Sequence, residues 1–135
     1  MRIAIISAPS VKRKPPDYAL SLAKGMESMG HRVDIVDAWT EDGMWLPGYE
    51  YIAIAAEPVS FFSSRLTSNI SRILAAGSAL SGRKSAAFIK KKGLFSNRAL
   101  ANLMRIMEKE GMVINWSDIL LNCPHAQAMG KKIGS

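Results

Sequence analysis

The sequence predicts an α/β fold of three layers, a parallel sheet of about five strands with helices on both faces. Three observations predict it. Short stretches, RIAIISA at 2–8 and YIAIAA at 51–56, are apolar almost throughout, as strands buried on both faces are. Longer stretches between the strands place apolar residues at helical spacing. Glycines stand where those helical stretches end, and no second composition or linker interrupts the 135 residues, so the chain reads as one domain over 1–135.

The first strand runs over 2–8 and is stopped by Pro9. A loop leads to Pro15-Pro16, placed for a helix start because a missing N–H costs little there. Tyr18, Leu22, Met26 and Met29, flanked by Ala19 and Ala23, form one helical stripe, and Gly30 closes it. Residues 31–37 alternate as a strand nearer a sheet edge. Residues 38–50 form a loop long enough for a degraded helix. The strand at 51–56 stops at Glu57-Pro58. Leu66, Ile70, Ile73 and Leu74 mark the next helix, closing at Gly77. Residues 85–89 form a fourth strand that runs into Lys90-Lys91-Lys92. Ser96 suits the start of a helix with Leu100, Leu103, Met104 and Met107 on its apolar face and Gly111 at its end. Residues 112–114 lead a fifth strand, with 119–121 as its late portion or an extension, and the tail from Pro124 has room for a couple of helical turns.

Hydrophobic residues make up 48% of the chain and charged residues 21%, an ordinary globular balance. No apolar run approaches the roughly 18–20 residues that cross a bilayer. The apolar start after Arg2 is too short, and too soon followed by Pro9, for a signal peptide, and it reads as a strand. The lone Cys123 has no internal partner, so a reducing cytoplasm is the expected setting. The net charge is +7. Much of it lies in two clusters, Lys12-Arg13-Lys14 and Lys90-Lys91-Lys92. These either solvate the surface or meet an anionic partner.

In open α/β sheets ligands bind outside the carboxyl ends of the strands, at the switch in strand order. The segments there are 7–14, 57–64 and 90–97, so both basic clusters are expected at one end of the sheet, beside Phe61 and Phe62. A cationic, partly aromatic crevice suits a phosphorylated flavin, a nucleotide or another phosphate-bearing ligand. Trp39 and Trp45 either wall such a pocket or plug a domain end. No Walker A loop, Gly-x-Gly-x-x-Gly fingerprint or Gly-x-Ser-x-Gly elbow is present. His31 reads as a surface residue. The two histidines and one cysteine are too scattered for a zinc site, and the neighbours Cys123 and His125 are poorly placed to act on each other. A phospho-receiver would need an acidic pair after the first strand and an aspartate ending the third, where this chain has Ser7-Ala8 and Glu57.

Four stretches carry a family resemblance. They are the first strand, loop and helix ending in Met29-Gly30-His31-Arg32-Val33; the run Leu46-Pro47-Gly48-Tyr49-Glu50-Tyr51-Ile52-Ala53-Ile54; Glu57-Pro58-Val59-Ser60-Phe61-Phe62; and the lead into the fourth strand, Leu80 to Phe88. Over nearly its whole length the chain resembles flavodoxins and related FMN-binding domains. The resemblance implies a five-stranded sheet in the order 2-1-3-4-5 and FMN carrying electrons in transfer or small-molecule reduction. It implies cofactor contacts from Ser7, Ser10, Lys12, Arg13 and Lys14 after the first strand. It adds Pro58, Val59, Ser60, Phe61 and Phe62 around the ring, and Lys92 and Gly93 after the fourth strand. The departures fall in the same loops. The first has no glycine, and Pro15 and Pro16 remove two N–H donors. Asp17 brings negative charge, Glu57 replaces a small hydroxyl residue, and three lysines replace a glycine-rich turn. A second reading is therefore a cofactor-free binding or assembly module whose basic edge docks an acidic protein or a nucleic acid. A third is a nucleotide- or phosphosugar-binding regulator. Monomer and homodimer, the latter through the fifth-strand edge, both stay open.

Overall fold

Five strands line up as β2-β1-β3-β4-β5, every neighbouring pair parallel. In this computed structural model, which describes residues 1–76 and 79–133, the strands are β1 (Arg2–Ala8), β2 (Arg32–Asp37), β3 (Tyr51–Ala56), β4 (Lys84–Lys90) and β5 (Val113–Leu120). The helices are α1 (Asp17–Glu27), α2 (Asn69–Ala76), α3 (Ser96–Lys109) and α4 (Cys123–Lys132). The expected helix end at Gly77 lies outside the described residues.

Side chains alternate across a strand, so each apolar run feeds two cores. Ala4, Ile6, Ile52, Ile54 and Ile89 face α2 and α3, where Ile70, Ile73, Leu74, Leu103 and Met107 cover them. Ile3, Ile5, Tyr51, Ala53 and Phe88 face α1 and α4, beneath Tyr18, Leu22, Met26 and Met129. A continuous apolar strand is what a sheet covered on both sides requires.

The α1–α4 contact is the tightest between helices. A Cβ on Gly25 would lie 2.1 Å from the Gln127 carbonyl oxygen, and one on Gly130 would lie 2.3 Å from that of Leu22. The tail is thus a ten-residue helix laid directly on α1, more than a loose pair of turns. The 38–50 link holds a single 3-10 turn, Leu46–Gly48. β5 runs unbroken from 113 to 120. It looks divided in the sequence because its register against β4 shifts between Ser85 and Ala86, which pair with Ile114 and Trp116. Asn115 is the extra residue, and it disturbs the alternation as a bulge does.

Candidate functional site

Strand register brings the candidate loops together. Ala8 pairs with Ala56, and Ala56 with Ile89. The chain therefore leaves β1, β3 and β4 side by side, at the β1/β3 switch point where this strand order places its ligands. Pro9 and Glu57 follow directly, and Lys90-Lys91-Lys92 closes the third side.

Glu57 organises this crevice. It follows six buried residues of β3 and is itself buried, its side chain 7% exposed. A buried carboxylate is costly unless paired and hydrogen-bonded, and three donors reach it. Arg13 Nη2 lies 2.5 Å from Oε1, Lys92 Nζ 3.4 Å from Oε2, and the Tyr18 hydroxyl donates to Oε1 at 3.4 Å. Lys92 Nζ also donates to Ser10 Oγ at 3.2 Å. Burial, and then the Glu57 charge, push the Tyr18 phenol far above its ordinary pKa, so its proton stays in place as a donor. One residue of each basic cluster thus turns inward. Lys12, Lys14 and Lys91 stay exposed and form no ion pair among the described residues.

The loop after β3 is folded by its own backbone. The Val59 N–H donates to the Arg65 carbonyl at 2.9 Å, and Ser63 N–H to that of Ser60 at 3.2 Å. This lifts Phe61 and Phe62 to the tip, 54% and 73% exposed, with their rings edge to face and centroids 5.0 Å apart. Gly93 adopts φ +73°, and a Cβ there would lie 1.9 Å from the Phe61 carbonyl oxygen. That carbonyl also accepts the Leu94 N–H at 3.1 Å. Ser96 steadies the far side of the β4 loop, its Oγ accepting the Lys92 N–H at 3.1 Å.

The predicted residues therefore divide. Ser10, Arg13 and Lys92 meet in the crevice. Val59, Ser60, Phe61 and Phe62 form an exposed tip, Pro58 is buried beneath it, and Gly93 is its hinge with the next loop. Lys12 and Lys14 face outward. Ser7 is buried, and its Oγ has no hydrogen-bond partner among the described residues. Trp39 is a plug, its indole N–H donating to the Pro9 carbonyl at 3.0 Å. Sequence reasoning put Glu57 at this end of the sheet but named neither it nor Tyr18 among the contact residues. The signal was there: a carboxylate directly after a wholly buried strand needs counter-ions, and two basic clusters were predicted beside it.

The remaining polar candidates serve structure. Asn122 caps α4, its side chain accepting the His125 N–H at 2.8 Å. The His125 ring accepts the Leu121 N–H at 3.2 Å through Nδ1, which leaves Nε2 facing Asp118 at 3.8 Å. His31 is held between the N-terminal amine and the Ile133 carbonyl, at 3.1 Å from each. No three metal-ligating side chains converge among the described residues.

FMN does not fit this arrangement of side chains. The inward-facing cations that would meet its phosphate are held on Glu57. Helix α1 opens on Pro16, which has no N–H to offer, and carries Asp17 in its first turn. The two loops that would flank the ring are hydrogen-bonded to each other through Phe61 and Leu94. The unpartnered Ser7 Oγ is the feature that favours a ligand.

No protein-family model matches the sequence, and no curated protein matches it. Solved structures do. An archaeal flavodoxin is 16% identical, covering 98% of this chain and 96% of its own, with a TM-score of 0.73. Oxidised flavodoxin 1 from Bacillus cereus is 15% identical, covering 96% and 95%, with a TM-score of 0.73. Two-electron-reduced Megasphaera elsdenii flavodoxin is 15% identical and covers 96% of each chain, with a TM-score of 0.75. End-to-end likeness at such low identity establishes architecture: the chain has the flavodoxin-like fold.

Proposed function

We propose that this protein is a cofactor-free flavodoxin-like binding module that docks an acidic protein surface on the carboxyl edge of its sheet. One observation carries the reading. Val11, Phe61, Phe62 and Leu94 are exposed on the loops that leave β1, β3 and β4 at one end of the sheet, and two of those loops also carry Lys12, Lys14 and Lys91, which are exposed and form no ion pair among the described residues. An apolar centre with a charged rim is the anatomy of a protein interface, and large exposed apolar side chains gathered in one place mark interaction sites. The lysines outnumber the carboxylates at this end, Asp17 and Asp118, and this excess of positive charge favours an acidic partner and steers its approach.

Quantitative co-purification from the native host tests this, comparing the wild type with Lys12→Glu/Lys14→Glu, with Phe62→Ala, and with the remote control Lys109→Glu. The same acidic protein should be lost from the first two and kept by the control, and the purified complex should weaken steeply with salt. A control that loses the partner equally, or a partner removed by nuclease, overturns the reading.

A second reading, FMN-dependent electron transfer, is supported by the flavodoxin identity of the structural neighbours and by the unpartnered Ser7 hydroxyl. It requires the Glu57 network to open. Absorbance after incubation with excess FMN and desalting separates the two: a retained flavin spectrum supports the second reading and a colourless protein the first.

A further inference from the structure

Glu57 stands at the β1/β3 switch point, where a doubly wound sheet of this order receives its ligand. Its carboxylate is met by a guanidinium, an ammonium and a phenol hydroxyl. All are donors, and they come from three separate parts of the chain: the β1 loop, the β4 loop and the first turn of α1. Ser10 Oγ completes the ring through Lys92. Convergent charged and neutral donors of this kind are what a phosphate group asks of a binding site. Here the anion they serve belongs to the chain itself. The ordering cost of gathering them is met in folding, and the buried carboxylate is held by donors on several sides.

We propose that Glu57 is the resident anion of this crevice, and that Arg13, Lys92, Tyr18 and Ser10 form a latent site for a phosphate or phosphate monoester that the Glu57 carboxylate keeps filled. The site's ligand class is set by these donors and its closure by one side chain. Replacing Glu57 with a small hydroxyl residue vacates the centre of the ring and leaves its cations unneutralised, so an external phosphate takes the carboxylate's place. The inference concerns the inward-facing residues only. Its failure would leave the outward docking surface untouched, because that surface uses Lys12, Lys14 and Phe62.

The test titrates inorganic phosphate into the wild type, Glu57→Ser and Glu57→Ser/Arg13→Ala, by calorimetry and thermal melting, against chloride at matched ionic strength. The single variant should bind phosphate roughly tenfold or more tighter than the wild type, about the worth of one charge-assisted hydrogen bond. Adding Arg13→Ala should abolish the gain. If Glu57→Ser is poorly folded in chloride, phosphate should raise its melting temperature, because a ligand that binds only the folded state stabilises it. If it stays unfolded throughout, Glu57→Thr carries the test, since it also removes the charge and empties the centre of the ring. Phosphate should then stabilise this variant more than it does the wild type. Variants that respond to phosphate no better than the wild type, or a gain that survives Arg13→Ala, overturn the proposal.

Discussion

Two groups of basic side chains share one end of this molecule and do opposite things. Arg13 and Lys92 turn inward onto Glu57, where they hold three loops together. Lys12, Lys14 and Lys91, their immediate sequence neighbours, stay in solvent at the same end of the sheet as Phe61 and Phe62. A basic cluster is therefore not a unit of function. The buried carboxylate takes one cation from each cluster, Lys90 is tied to the Leu121 carbonyl, and Lys12, Lys14 and Lys91 are left exposed, so the formal charge of +7 overstates what the crevice presents.

The strongest way to break the distinction is to separate the loops that carry both groups. Gly93→Val forces a branched side chain into a left-handed backbone and against the Phe61 carbonyl. It should cost about 2–3 kcal/mol in urea unfolding and loosen latch and rim together. Urea unfolding that matches the wild type would show that the two loops are not laced as described.

Single charge deletions sharpen the contrast. Arg13→Ala leaves Glu57 with a weaker set of donors and should cost about 1 kcal/mol. The figure is held down because the Arg13 side chain is 45% exposed. Lys12→Ala should fall within about 0.5 kcal/mol of the wild type. Equal losses for the two would erase the division between inward and outward cations.

Alkaline pH probes the latch through Tyr18. Its folded pKa is raised, chiefly by burial, so above the ordinary phenol value near 10 the folded state keeps a proton that the unfolded state releases. Stability is thus fully present below about pH 10 and declines as pH rises beyond it. Tyr51, also raised by burial, contributes the same sign. Denaturation midpoints across this range should fall for the wild type and fall less steeply for Tyr18→Phe. Identical slopes would remove Tyr18 from the buried network.

The smallest effect on stability belongs to the rim. Phe62→Ala should leave urea unfolding within about 0.5 kcal/mol of the wild type while weakening partner binding, because Phe62 is largely exposed. A large stability loss would place Phe62 in the core and remove it from the docking surface.

Much of this was legible in the residues. The strands at 2–8 and 51–56 announce themselves because both faces of a parallel sheet are covered, so no polar alternation interrupts them. The helices at 17–27 and 96–109 show in their stripes and closing glycines. Less was legible where one residue's partner lies far away in sequence. The bulge at Asn115 splits the β5 pattern and hides a continuous strand. The close seating of α4 on α1 depends on Gly25 and Gly130 meeting at a crossing that no local period reports.

The sequence by itself determined the layers and the end of the sheet at which the basic loops gather, because hydrophobic period and chain order are local properties. It also contained Glu57, as an unexplained carboxylate. Only the tertiary structure decided which cations that carboxylate takes. Ion pairing to a buried carboxylate depends on distance and desolvation between segments 44 and 35 residues apart, and two adjacent lysines with equal charge differ only in which way the folded backbone turns them.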